Sequence, residues 1–154
     1  MAIFLSTTIN RIDKKGRVSI PASFRAALQK AGGDEFALFR SPADGAIEGF
    51  PLQKMADLSA RLDNFDMFDE NQNDLATVIF AESIQLSFDS DGRITLPQDL
   101  IDYAGLDDQV AFVGLGSKFQ IWNPKTLQER KDKARANVKN KNLTLPAHKA
   151  KDES

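Results

Sequence analysis

Cysteine is absent from this chain of 154 residues, which excludes disulfides and thiolate zinc sites and is compatible with a reducing compartment. Histidine occurs once, as His148, in a polar stretch where no rigid acid–base pair can be built on it. There is no Gly-rich phosphate loop, no nucleophile elbow and no cluster with metal-ligand spacing. Asp89-x-Asp91-Gly92 resembles the opening of a calcium loop but lacks its glycine spacing and closing Glu. No catalytic residue, metal or cofactor is therefore expected. No apolar run approaches the roughly 20 residues of a membrane span, and Met1–Leu5 lacks the basic start and cleavage site of a secretory signal. A cytoplasmic protein with no membrane partner is expected.

What the chain does contain, it contains twice. Asp13-Lys14-Lys15-Gly16-Arg17-Val18-Ser19-Ile20-Pro21 returns 76 positions later as Asp89-Ser90-Asp91-Gly92-Arg93-Ile94-Thr95-Leu96-Pro97. In each copy the Asp can cap a tight turn and the Gly supplies the left-handed conformation that closes it, as in a type I turn followed by a bulge. Asp13, Gly16, Asp89 and Gly92 are the expected turn formers. Beyond the turn the residues alternate, so Val18, Ile20, Ile94 and Leu96 face one side of a strand. Arg17, Ser19, Arg93 and Thr95 face the other. Pro21 and Pro97 then suit the first turn of a helix, where a missing N–H costs nothing.

The rest of the chain repeats the same plan. Thr7–Ile12 reads as the strand entering the first turn, although Ile9 and Ile12 have opposite parity. Phe24, Ala27, Leu28 and Ala31 form a helical stripe stopped by Gly32-Gly33. Glu35–Arg40 and Ala46–Phe50 flank a turn-rich loop, and Leu52, Met55, Leu58, Leu62 and Phe65 mark a longer amphipathic helix. A turn and a short helix through Leu75, Val78 and Ile79 follow. The second half runs through Ile84–Phe88, the Leu100/Ile101/Ala104 stripe, Val110–Leu115 and Lys118–Trp122, to a charged helix opened by Pro124. Trp122 and Phe119 read as core or subunit-contact residues. The expected organisation is a first repeat over 1–66, a connector over 67–82, a second repeat over 83–137 and a mobile polar tail over 138–154. Four short strands cannot cover both faces of a sheet alone, so the halves should pack together and exposed edges should recruit further copies.

The net charge of −2 conceals two opposite repeats. Residues 11–30 carry Arg11, Lys14, Lys15, Arg17, Arg25 and Lys30 against Asp13 alone, a balance of +5. Residues 88–108 carry Arg93 against six aspartates, a balance of −5. Each repeated Arg has two readings: it pairs with the Asp four residues earlier, or it serves an external polyanion. The surplus of cations favours the polyanion for Arg17, with Lys14, Lys15 and Arg11 on phosphates. The neighbouring acids Asp89 and Asp91 favour internal pairing for Arg93. Arg25, on the following helix, is either a further contact or a solvated helix residue. The basic run Lys125–Lys141 reads as a solvated helix face.

These residues resemble the MraZ family of bacterial transcriptional regulators, which carry two tandem copies of the AbrB-like swapped-hairpin fold. The likeness rests on the two Asp-x-x-Gly-Arg segments through Pro21 and Pro97, on Ala104-Gly105-Leu106, Val113-Gly114 and Phe119-x-Ile121-Trp122. It implies an α+β, strand-rich chain: two swapped-hairpin β-barrel repeats with flanking helices, assembled into a ring, often of eight copies. It also implies a sequence-specific DNA-binding regulator, a repressor of the division and cell-wall gene cluster that includes its own promoter, associated with the nucleoid. Its partner would be double-stranded DNA with direct repeats, and Arg17 and Arg93 match the family's DNA-contacting motif. The chain departs from the family at Ile3-Phe4-Leu5-Ser6, where Phe-Arg-Gly is usual, and at the additional acid Asp91. The rival readings are an antitoxin-type protein-binding module of the same fold and a purely structural assembly protein.

Overall fold

A computed structural model of the chain describes residues 3–148. Residues 149–154 of the expected tail, and Met1 and Ala2 of the chain start, lie outside the described residues. The chain divides into two compact units, the first running through Pro124 and the second beginning at Lys125.

The first unit is α+β and strand-rich. It contains β1 (Thr7–Arg11), β2 (Arg17–Ser19), α1 (Ala22–Lys30), β3 (Glu35–Arg40), β4 (Ile47–Pro51), α2 (Leu52–Leu62) and α3 (Glu70–Ala76). The last of these widens into a π-helical turn over Thr77–Ala81. Then come β5 (Ile84–Ser87), β6 (Arg93–Thr95), α4 (Gln98–Tyr103), β7 (Gln109–Gly114) and β8 (Phe119–Trp122). Pro21, Pro51 and Pro97 each stand at the N-cap of the helix that follows them. Phe65 falls beyond the end of α2, in a run of turns, so it does not extend the helical stripe.

The pairing of strands crosses between the repeats. The six-stranded sheet has the order β1-β7-β8-β4-β3-β5, antiparallel throughout. Thus β1 of the first repeat lies on β7 of the second, and β5 of the second lies on β3 of the first. Strands β2 and β6 form a separate two-stranded ribbon. Among the described residues the two arms that flank the first turn share one isolated bridge, Ile12 to Val18, and no strand ladder. Each turn is therefore a reversal of direction without a ladder of its own, and its arms find their partners in the other repeat.

The main core is enclosed between the sheet, the ribbon and helices α1 and α4. Phe36, Leu38, Ile47, Val110, Phe112, Phe119 and Ile121 come from the sheet, and Val18 and Ile94 from the ribbon. Phe4, fully buried, meets Phe24 edge-on at 5.4 Å between ring centroids and Phe119 at 5.3 Å. Gly49 sits opposite Phe119 across the β4–β8 pair, and a Cβ there would run into the Phe119 ring. On the other face of the sheet, Ala37, Phe39, Phe50 and Met55 form a second cluster, with Leu52, Leu58, Ile79 and Phe80 against it. Glu48 and Gln120 are also buried. They are satisfied by a chain in which Trp122 Nε1 donates to Gln120 Oε1 at 2.8 Å, Gln120 Nε2 donates to Glu48, and Lys118 Nζ lies 3.0 Å from Glu48 Oε1. The opposite parity of Ile9 and Ile12 resolves simply: Ile12 is buried and Ile9 is exposed.

The second unit holds α5 (Pro124–Asn140) from its second residue onward, a helix whose axis is about 25 Å long at the usual rise per residue. Gln128 Nε2 donates to Asp132 Oδ1 at 3.0 Å along it.

Candidate nucleic-acid interface

The two repeated turns are built alike. In the first, Gly16 N–H donates to Asp13 O at 3.0 Å and Asp13 N–H to Arg17 O at 3.0 Å. In the second, Gly92 N–H donates to Asp89 O and Asp89 N–H to Arg93 O, both at 2.9 Å. Gly16 at φ +85° and Gly92 at φ +76° occupy the left-handed region that a turn with this bulge requires. The Asp side chains act as expected. Asp13 Oδ1 accepts from the backbone N–H of Lys15 and of Arg17, and Asp89 Oδ1 from that of Asp91 and of Arg93. These bonds to the ionised form hold both carboxyls below the usual carboxylate range, the backbone N–H of Arg17 contributing most for Asp13 and that of Arg93 for Asp89.

The ribbon then places the two copies against each other. Its register is Arg17 opposite Thr95, Val18 opposite Ile94 and Ser19 opposite Arg93. Since 18 and 94 differ by the repeat displacement of 76, the Val18–Ile94 pair is the centre of a local two-fold arrangement. Val18 and Ile94 point into the core, so Arg17, Ser19, Arg93 and Thr95 all stand on the opposite face. Arg17 and Arg93 are diagonal neighbours there, a spacing of about 7–8 Å between backbones. Arg11, Asp13, Arg17, Ser19 and Arg93 line one open cleft on this face. Asn10 Nδ2 fixes its border by donating to Ser19 O at 2.7 Å. Lys14 and Lys15 are exposed on the first turn itself.

The ion pairs run opposite to the order expected from local charge. Arg17, expected to be the freer group, is held by Asp13 with Nε to Oδ2 at 2.7 Å. Arg93 is held more loosely, with Nε 3.7 Å from Asp89 Oδ2 and Nη2 3.3 Å from Asp91 Oδ2. The edge of the guanidinium that is engaged matters more than the distance. Asp13 takes the Nε edge of Arg17, whose side chain stays 45% exposed, and among the described residues no hydrogen bond engages its terminal nitrogens. On Arg93 one terminal nitrogen is spent on Asp91, and Nε is buried without a hydrogen bond. A guanidinium fixed by its Nε edge loses little freedom when its outer edge meets a bidentate acceptor. The aspartate of the first turn thus orients its arginine and leaves it open.

Arg25 lies apart from this cleft. It rests on α1 with Nε donating to Ile20 O at 3.2 Å, against the turn of the other repeat. The residues that sequence reasoning left unassigned are Ser19 and Thr95, whose outward parity was legible, and Asn10, for which nothing in the sequence gave a signal. What joined them was the β2–β6 pairing, and its trace in the sequence is the identical alternation of the two copies about Val18 and Ile94.

Strands exchanged between two copies of one hairpin module, with both Asp-x-x-Gly-Arg turns brought to a shared ribbon, define a tandem swapped-hairpin protein. The family pattern described as "MraZ protein, putative antitoxin-like" matches residues 3–77 and 79–145, one match for each repeat. The chain belongs to this family. It is 46% identical over 142 residues to a protein of Gluconobacter oxydans, covering 90% of this chain and 87% of that one. It is 44% identical over 150 residues to one of Gluconacetobacter diazotrophicus, covering 96% and 94%. Identity to one of Rickettsia bellii is 40% over 146 residues, covering 94% and 97%. All three relatives carry the name "Transcriptional regulator MraZ".

Proposed function

We propose that this chain is a sequence-specific DNA-binding transcriptional regulator. The observation that carries the reading is the ribbon: one face, two diagonal arginines, two small hydroxyl residues and a border of cations. Two strands about 4.8 Å apart, with their side chains, fit a major groove about 12 Å wide. Arg17, with its outer edge open, is matched to the O6 and N7 of a guanine, and Arg93 serves the neighbouring position less strongly. Ser19 and Thr95 supply short donors and acceptors between them. Arg11, Lys14 and Lys15 hold phosphates.

One ribbon makes few phosphate contacts, so several copies on one duplex are needed for tight binding. The family resemblance supplies the finer terms of the proposal. The chain assembles into a ring, often of eight copies, each presenting its ribbon to one of several direct repeats in a promoter. The target is the division and cell-wall gene cluster that includes its own gene, the effect is repression, and the protein resides in the cytoplasm at the nucleoid.

The test is fluorescence anisotropy of the full chain on a duplex obtained by selection with the wild type, titrated at several salt concentrations. Arg17→Ala is expected to abolish preference for that duplex over a shuffled one, a loss of about 1–3 kcal/mol per contact. Arg93→Ala is expected to lose less. Equal affinity of wild type and Arg17→Ala, or binding indifferent to salt, would refute the reading. Light scattering separates the antitoxin-type alternative, for which the expected species is a dimer.

A further inference from the structure

What lies against the two turn glycines differs. A Cβ on Gly16 would meet Leu96 O at 2.7 Å and Ile101 Cδ1 at 3.4 Å. On Gly92 it would meet Arg25, with Cζ, Nε and Nη1 all at 2.7 Å. Residues 25 and 101 are separated by the repeat displacement of 76, so they hold the same helix position, and each lies across the turn of the other repeat. Three guanidinium atoms at one distance mean that the plane of the group faces the glycine. Gly92 is required for its positive φ, and a Cβ there would displace the guanidinium.

The placement is fixed by backbone. Arg25 Nε donates to Ile20 O at 3.2 Å, and Ile20 N–H donates to Gly92 O at 2.9 Å. The acids of the second turn are engaged with Arg93, and Arg25 forms no ion pair among the described residues. Counted by itself, that turn sets one arginine against Asp89 and Asp91, a balance that repels a phosphate backbone. The guanidinium laid on Gly92 brings the balance to zero. The first turn has no such need, since Lys14 and Lys15 stand on it, and there the equivalent position is the neutral Ile101.

We propose, building on the DNA-binding reading above, that Arg25 is a phosphate-contacting residue of the second turn, lent to it by the first repeat. The DNA-facing surface of the second repeat is then complete only when the first is folded against it. With its Nε edge spent on a carbonyl, Arg25 has its terminal nitrogens left to meet an acceptor, and no ion pair engages them among the described residues. That suits an oxygen of the DNA backbone better than a base edge, and the pre-fixed stem reduces the ordering cost of the contact.

The experiment measures binding of the full chain to the selected duplex and to its shuffled version from low to moderate salt, with thermal melting as the control for folding. Arg25→Ile places over Gly92 the side chain that already covers Gly16. The expected result is an unchanged melting profile, a loss of about tenfold in affinity that is equal on both duplexes, and a log–log salt slope shallower by about 0.9. Ile101→Arg is expected to steepen the slope by a similar amount. Wild-type affinity and slope in Arg25→Ile would overturn the inference while leaving the regulator reading intact. A loss confined to the selected duplex would overturn it too, since Arg25 would then be reading bases. No salt-dependent binding by the wild type would remove both. Should Arg25→Ile fail to fold, Arg25→Gln decides: its slope must be shallower than the wild type's on both duplexes, and a wild-type slope overturns the assignment.

Discussion

At the scale of single residues, the chain shows how one acid can prepare an arginine and a second can spoil it. Asp13 grips the Nε edge of Arg17 and leaves the outer edge open, whereas Asp91 occupies a terminal nitrogen of Arg93. Asp91→Asn is therefore expected to raise affinity for DNA about two- to fivefold in an anisotropy titration, the range set by the modest worth of exposed ion pairs. A second residue-scale expectation concerns Ser6, which stands at φ +72° with its carbonyl accepting from Gly114 N–H at 2.8 Å. The left-handed region costs a residue with a Cβ about 1–2 kcal/mol. Glycine gives back part of that gain as unfolded-state freedom. Ser6→Gly should raise stability by roughly 0.5–1 kcal/mol in denaturant unfolding. The sequence already marked this position, as the place where the family's Phe-Arg-Gly is missing. The strain itself was not legible, because φ follows from the Phe4–Gly116 bridge and the approach to Gly114.

At the scale of elements, the turns were the most legible part of the chain. Capping Asp, left-handed Gly and the alternation behind them all act locally, and the structure has them as read. The ladder was not legible in the same way. A turn flanked by two apolar arms implies a hairpin, yet β1 pairs with β7 and β2 with β6, because pairing is decided by long-range packing. For the same reason, local charge did not foretell the distances of the two ion pairs, which depend on how the ribbon sets each guanidinium. The turns also carry a dependence on acid. Asp13 and Asp89 have carboxyls held below the usual value in the folded chain, while in the unfolded chain they titrate in the ordinary carboxylate range. Their contribution to stability is thus in place above about pH 4 and is lost as pH falls through the lower folded values. Thermal unfolding followed from pH 6 downward should show the midpoint dropping in that acid window. The Asp13→Asn/Asp89→Asn double variant should start lower and drop less.

At the scale of the molecule, exchange of strands makes the two repeats a single structure. The sheet interleaves them, the pairs β7–β8 and β4–β3 lying side by side at its centre and β1 and β5 at its edges each lying on a strand from the other repeat. Neither repeat can close its own core, since Val18 of one and Ile94 of the other meet over the same cluster. Chains comprising 1–66 and 83–137 should accordingly be unfolded alone and regain strand structure when mixed. Circular dichroism of the separate and combined fragments checks this, and a cooperative melt from either fragment by itself would contradict it. The duplication was plain in the sequence; that each copy completes the other was visible only once the register was known.

The ribbon's centre at Val18–Ile94 has a further consequence. A ribbon with perfect two-fold symmetry would present the same pattern to a duplex from either direction. Here Lys14 and Lys15 flank one end and Asp91 the other, so the ribbon has a front and a back. On the DNA-binding reading proposed above, a site and its inversion are different sites, and copies bound to direct repeats all point the same way along the duplex.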